Sequence, residues 1–372
     1  MSIRRSIKNK KRWVIKVGSA LLTSRGQDLN TGLIVRLAEQ IAFLRGQGVE
    51  VILVSSGSVA AGMGKLGMHN RPERVNELQA AAAVGQATLV RHYEEAFIPH
   101  DVSIAQVLLT HADIANRARY LNAKSTLCKL LDLGILSVVN ENDTVATEEI
   151  CFGDNDNLAA LVANLVEADL LVILTDQDGL FTADPRYDRT AQLIDEVAAE
   201  DPTLLPMASG GATLGRGGMV TKLDAARSAS RSAASTIIAN GSTEQVLTEI
   251  YKGNTIGTLL VASQRLASRK QWMANQMRIN GLVTVDSGAA RVLQTDGSSL
   301  LPVGVTAVEG DFNRGELISC IDQSGKEVAR GLSNYSAREA VKLKGQPSDK
   351  ILDTLGYRGE DELIHRDNMV VL

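Results

Sequence analysis

Short apolar runs alternate with longer segments of helical spacing over the first two-thirds of the chain. Residues 13–17, Trp-Val-Ile-Lys-Val, form an apolar run broken by one lysine and closed by Gly18-Ser19. Residues 33–44 carry apolar positions at helical spacing and end near Gly46 and Gly48. Residues 49–54 read as a buried strand, which Ser55-Ser56-Gly57 turns into a small-residue helix around 59–62. Further strands are expected at 103–109, 135–139, 170–174 and 236–239, with helices at 76–97, 158–166 and 219–234. Strands that alternate with helices imply an α/β fold, a mostly parallel sheet covered on both faces in three α/β/α layers. Near residue 260 the pattern changes. A polar, basic stretch leads into short β-type runs at 281–285, 303–308, 316–321 and 327–330, punctuated by Gly, Asp and Asn, as in a small barrel or sandwich. The expected organisation is a main domain over 12–262, a linker over 263–279 and a small β-rich domain over 280–358.

Composition narrows this picture. Aromatic residues are only 3% of the chain, so the core is built from Ala, Val, Leu and Ile, which suits helices on a parallel sheet. A net charge of -4 argues against a generally basic nucleic-acid binder. Cys128, Cys151 and Cys320 are widely separated, with no CxxC and no nearby His pair, so neither a disulfide framework nor a zinc site is indicated and a reducing cytoplasm is expected. No apolar run approaches the roughly 18 residues of a membrane span. The basic N-terminus, Arg4-Arg5 through Arg12, lacks the apolar core of a secretory signal and reads as a solvated, frayed tail.

The polar run from Asn140-Glu141-Asn142-Asp143-Thr144 to Gly153-Asp154-Asn155-Asp156-Asn157 follows a strand and precedes a helix, the usual address of a ligand site in an open α/β sheet. It is longer than the capping of one helix requires. Three glycine-containing turns accompany it: Lys16-Val17-Gly18-Ser19, Ser55-Ser56-Gly57, and Gly215-Arg216-Gly217-Gly218 before a helix that carries Thr221-Lys222. Small residues let backbone N–H groups approach an anion, and a helix N-terminus adds partial positive charge. Lys16 is out of place in an apolar strand unless it has a partner. Two lysines facing phosphate, glycine turns and a carboxylate–amide cluster point to phosphoryl transfer, where catalysis is chiefly positioning and neutralisation. In that chemistry Asp154 or Asp156 steers the lysines or holds Mg²⁺ carried in by the nucleotide. There is no Walker A motif, and the GxGxxG at Gly62–Gly67 lies beyond the strand-to-helix turn where a dinucleotide fingerprint belongs, so it reads as chance.

Taken in order, Lys16-Val-Gly-Ser, Ser55-Ser-Gly, Asn140-Glu-Asn-Asp, Gly153-Asp-Asn-Asp-Asn157, Thr175-Asp176 and Gly217-Gly-Met-Val-Thr-Lys222 resemble the amino acid kinase family over about residues 12–260. Thr284-Val-Asp-Ser-Gly-Ala-Ala and Ser298-Ser-Leu-Leu-Pro-Val-Gly resemble a PUA domain. The resemblance implies that Lys16 and Lys222 stabilise the transferring phosphoryl group and that Asp156 orients them. It implies that Ser56, Asp143 and Asn155 hold the acceptor. Lys16, Thr175, Asp176 and the loop Arg216, Gly217, Gly218, Met219, Val220, Thr221 and Lys222 would hold ATP with its Mg²⁺, no metal being held by the protein itself. Arg216 departs from the pattern, since related enzymes often carry a small residue there. The Asn140 and Gly153 motifs resemble those members that phosphorylate L-glutamate; aspartate, N-acetylglutamate or UMP acceptors stay open on pattern and spacing alone. Proline as inhibitor, a homo-oligomer (tetramer or dimer) and a downstream glutamyl phosphate reductase are implied in the same way. A separate reading makes the chain an RNA-binding protein through the C-terminal domain. Nine Lys/Arg against ten acids between residues 280 and 358 give that reading little phosphate attraction.

Overall fold

The computed structural model describes residues 3–24, 28–145, 155–208, 218–262 and 279–371. By its internal contacts the chain divides into two compact units, Met1–Ile114 with Ala123–Arg265, and Ala115–Asn122 with Leu266–Leu372. The expected linker therefore lies outside the described residues, apart from Ile279.

Eight strands form the sheet of the first unit: β1 Arg12–Val17, β2 Glu50–Ser55, β3 Ile104–Leu109, β4 Leu136–Glu141, β5 Leu170–Thr175, β6 Glu196–Ala198, β7 Ser235–Asn240 and β8 Thr258–Val261. Their spatial order is β3-β4-β2-β1-β5-β7-β8-β6, parallel throughout except where β8 runs antiparallel to β7. The longer helices described with it are α1 Thr31–Gly46, α2 Ser58–Leu66, α3 Val75–Phe97, α4 Arg117–Asp132, α5 Asp156–Leu165, α6 Met219–Ser230 and α7 Val246–Lys252. Asn30 caps α1 by accepting from Leu33 N at 3.1 Å. The apolar positions Leu33, Ile34, Leu37, Ala38, Ile41 and Leu44 then fall on one buried face.

Alternation along the strands separates two cores. Trp13, Ile15 and Val17 of β1 pack with Leu170, Val172 and Leu174 of β5 under α1, α3 and α7. The intervening side chains point to the opposite face, where α5 and α6 pack on each other and on β5, with α5 also on β1 and α6 on β7. Gln40 of α1 crosses to cap α7, its Oε1 accepting from Leu247 N at 2.9 Å.

The glycines of the GxGxxG have a packing role. A Cβ on Gly62 would fall 1.7 Å from Ala81 O, and one on Gly85 would fall 1.8 Å from Ser58 O. Helices α2 and α3 thus touch backbone to backbone, and Gly67 ends α2 in the left-handed conformation.

The N-terminal basic segment is not a frayed tail. Arg4 is 3% exposed and donates to Ile256 O (3.0 Å), Asp195 O (2.6 Å) and Gly257 O (2.8 Å), while Ile7 enters the core. The guanidinium has several donors in one plane, so it can serve three carbonyls that a solvated tail would leave to water. Arg4→Ala should lower unfolding stability by roughly 1–3 kcal/mol, because buried carbonyls lose their donors. Chemical denaturation of the two proteins measures this, and equal midpoints would show that the segment contributes nothing. The Asp195 ion pair adds little, since that carboxylate is largely exposed.

In the second unit β9 Gly281–Val285, β10 Val305–Gly310, β11 Leu317–Ile321, β12 Glu327–Leu332 and β13 Met369–Val371 form one sheet in the order β10-β9-β11-β12-β13. Only the β9–β11 pair is parallel. Beside this sheet the unit contains helices absent from the strand pattern, among them α8 Ser287–Asp296 and α9 Ala337–Leu343. Each is short, and each is fixed by its start: Asp286 accepts from Ala289 N, and Ser336 with Glu339 forms a capping box.

Candidate active site

Strands β1, β2, β4, β5 and β7 run in one direction and end at Val17, Ser55, Glu141, Thr175 and Asn240. Loops diverge at such an edge, so the expected site residues emerge side by side. Lys16 takes the face beneath α5 and α6, because its neighbours Ile15 and Val17 enter the other core. Asp156 opens α5 and Lys222 lies in the first turn of α6, so all three meet at the strand ends.

Lys16 Nζ pairs with Asp156 Oδ1, and Lys222 Nζ donates to Asp156 Oδ2 at 2.9 Å. Exposure is 4% for Lys16, 0% for Asp156 and 6% for Lys222. Burial alone would push the Asp156 carboxyl up; the two ammonium groups outweigh it and hold the acid down at about 2. The Asp156 carboxyl is therefore ionised at neutral pH, and with two lysines to one aspartate the triad has a formal charge of plus one. Its geometry suits the steering of two lysines, since each carboxylate oxygen faces one ammonium group. Gly18 closes the β1 turn, its N–H donating to Leu174 O at 3.1 Å; a side chain there would stand 3.8 Å from Lys16 Nζ.

A second group of polar residues lies on the turn between β2 and α2. Gly57 holds φ +98°, a left-handed value that only glycine adopts without strain. Asn155 is buried and its Nδ2 donates to Ser55 O (2.7 Å) and to Asn140 Oδ1 (2.7 Å). Both of its amide hydrogens are thereby committed to the protein, leaving Oδ1 as the atom able to meet a ligand. Ser58 Oγ donates to Asp143 Oδ2 at 2.8 Å. Ser56 lies between these contacts, and its Oγ is buried without a hydrogen-bond partner among the described residues. Burial pushes the Asp143 carboxyl up, while Ser58 and the positive charge of Arg71 offset part of that rise.

Thr175 Oγ1 donates to the exposed Asp176 at 3.1 Å at the end of β5. Gly218, Met219 and Val220 begin α6, and Thr221 Oγ1 donates to Gly218 O at 2.7 Å and lies 3.4 Å from Asp156 Oδ2. Arg216, Gly217 and Asp154 lie outside the described residues. Sequence reasoning missed Ser58, whose only signal was its place at a helix start, and Gln86, a lone amide on the buried face of an alanine-rich helix.

A buried triad of two lysines and one aspartate at the carboxyl edge of a parallel sheet is chemically suited to a polyanionic ligand. The sequence pattern of the amino acid kinase family matches residues 11–240, and that of the PUA domain matches residues 281–355. The chain is 56% identical over 372 residues to a glutamate 5-kinase of Pseudomonas entomophila, covering all of both chains. It is 57% identical over 371 residues to a glutamate 5-kinase of Nitrosococcus oceani, covering 99% of each, and 54% identical to one of Chromohalobacter salexigens, covering 99% and 98%. The chain belongs to the amino acid kinase family, in its glutamate 5-kinase branch.

Proposed function

We propose that this chain transfers the γ-phosphoryl group of ATP to the γ-carboxylate of L-glutamate, giving L-glutamyl 5-phosphate and ADP as the first step of proline biosynthesis. The observation that carries this reading is the pair of buried ammonium groups, one from β1 and one from α6, held by a single aspartate in a chain related to glutamate 5-kinases over its whole length. A carboxylate oxygen attacks the γ-phosphorus, the bond to the β–γ bridging oxygen breaks, and ADP leaves with the electron pair. The acceptor has an unperturbed pKa of about 4.3, so it arrives ionised and needs no general base. The obstacle is bringing one anion to another, and Lys16 and Lys222 neutralise the equatorial oxygens while Asp156 fixes their directions.

Ser56, Asp143 and Asn155 are assigned to the amino acid, with Asp143 facing its ammonium group. Lys16, Thr175, Asp176 and Arg216 to Lys222 are assigned to ATP. A kinase of this kind works with a divalent ion, which we assign as Mg²⁺ entering on the nucleotide phosphates. Among the described residues no group of three His, Cys, Asp or Glu is arranged to hold a metal. Proline as inhibitor, a homo-oligomeric state, a following glutamyl phosphate reductase and a cytoplasmic setting complete the reading. Among the described residues no helix is long and apolar enough to cross a membrane.

The test is ATP- and Mg²⁺-dependent ADP release with L-glutamate, with hydroxylamine present to trap an acyl phosphate, and aspartate, N-acetylglutamate and UMP run beside it. Hydroxamate formed with glutamate alone supports the assignment; ADP release with another acceptor alone sinks it. Asp143→Ala should raise the KM for glutamate about tenfold or more and change turnover less, as expected when a ground-state contact is lost. Because burial raises the Asp143 pKa, the native affinity for glutamate should begin to fall on acidification at a pH above the ordinary aspartate value of 3.8. A KM profile with no such rise would remove Asp143 from the ammonium site.

A further inference from the structure

Gln86 belongs to none of the motifs that point to phosphoryl transfer, yet it ends a chain of buried amides that begins beside the acceptor residues. Asn155 Nδ2 donates to Asn140 Oδ1 at 2.7 Å, and Asn140 Nδ2 donates to Gln86 Oε1 at 2.7 Å. We infer that Gln86 is a positioning residue that holds the Asn140 and Asn155 amides in place at the acceptor end of the site.

The direction of every bond in this chain is forced. The backbone N–H of Glu141 can only donate, and it donates to Asn140 Oδ1 at 2.9 Å. That turns the Nδ2 of Asn140 the other way, and an NH₂ group can only be answered by an acceptor. Gln86 Oε1 is that acceptor. At the far end Ser55 O accepts from Asn155 at 2.7 Å, so Asn155 is held between a backbone carbonyl and Asn140 and its Oδ1 is turned away from both. Gln86, Asn140 and Asn155 are 9%, 1% and 6% exposed, so water does not readily substitute for a lost partner. Gln86 Nε2 makes no hydrogen bond among the described residues, which leaves the contact to Asn140 as the one that orients its amide.

The helix places Gln86 at the required depth. Gly85, its neighbour, lies so close to α2 that a Cβ would fall 2.3 Å from Gly62 N as well as 1.8 Å from Ser58 O. The same Ser58 bonds Asp143, so one helix contact sets both the amide chain and the carboxylate. Without an acceptor at position 86 a buried N–H of Asn140 loses its partner, which loosens the Asn140 side chain and with it the bonds that Asn155 and Glu141 make to its Oδ1.

This inference rests on the assignment of Asn155 and Asp143 to the amino acid acceptor. Gln86→Met keeps the length of the side chain and removes the acceptor oxygen; Gln86→Glu keeps an oxygen facing Asn140. In the full chain, Gln86→Met should raise the KM for L-glutamate about tenfold while the KM for ATP and kcat stay within about twofold, and Gln86→Glu should restore most of the loss. An unchanged glutamate KM in Gln86→Met, or a parallel fall of every kinetic parameter in both variants, would overturn the positioning role. A second readout does not use the reaction: the side-chain NH₂ signals of Asn140 and Asn155 in ¹⁵N-labelled protein. They should be slow to exchange with solvent in the native chain and in Gln86→Glu, and fast in Gln86→Met. Native protein that turns over no glutamate, with this exchange pattern intact, sinks the substrate assignment and leaves Gln86 as the organiser of the amides. Exchange equally slow in Gln86→Met overturns the inference.

Discussion

Lys222→Ala should lower turnover about a hundredfold, equivalent to ~3 kcal/mol of transition-state stabilisation, and change the KM for glutamate only severalfold. The asymmetry follows from where the ammonium sits. Lys222 is 6% exposed, held by Asp156 at 2.9 Å, and lies in the first turn of a helix whose N-terminus adds partial positive charge. A cation so placed needs little reorganisation when charge builds on the transferring oxygens, and low local dielectric makes its contribution larger than in water. The residues we assign to the acceptor, Ser56, Asp143 and Asn155, lie around the β2–α2 turn, and the hydrogen bonds described for them do not involve Lys222. Steady-state kinetics with ATP and glutamate varied separately would show the split. Near-normal kcat would exclude Lys222 from the reaction, and an equal loss in both KM values with kcat retained would make it a binding residue alone.

The reach of the sequence is uneven, for physical reasons. The strands were legible because parallel strands buried on both faces are continuous apolar runs, as in residues 49–54 and 170–174. Lys16 was legible as an anomaly, one charge in such a run. Its meeting with Asp156 and Lys222 was not, because those partners are 140 and 206 residues away and converge only through the order of β1, β5 and β7; a resemblance between ordered motifs supplied that link. The basic N-terminus misled because charge usually signals solvent, whereas Arg4 finds three carbonyls contributed by segments around residues 195 and 256. The GxGxxG around Gly62 reads as chance in the sequence, and its packing role depends on Gly85 in the next helix, which no local pattern pairs with it. Gln86 left no usable signal, since a glutamine among alanines reads as a neutral helical residue until Asn140 is seen against it.

Asp156→Asn is expected to separate positioning from binding more sharply than either lysine variant. The carboxylate lies between two buried ammonium groups and is held down at about 2. Its ionised form therefore stabilises the fold at all pH values above the ordinary carboxylate range, and that stabilisation is lost only as pH falls from about 3.8 through about 2. Replacing it with a neutral amide leaves two like charges facing each other, which costs about 3–5 kcal/mol in the ligand-free protein. Nucleotide phosphates supply the missing negative charge, so ATP should raise the melting temperature of the variant more than that of the native chain. Nucleotide affinity should hold or increase, because the lysines are no longer neutralised from within. Turnover should nevertheless fall about a hundredfold, since one lysine meets an amide NH₂ in place of its acceptor and the other keeps only a neutral oxygen, so their directions are no longer fixed. Calorimetric binding of an unreactive ATP analogue, set beside kcat, tests both halves. Should affinity fall in step with kcat, Asp156 contributes through nucleotide binding and the orienting role is wrong. A variant with native stability and native kcat would show that the buried carboxylate has no part in holding the two lysines.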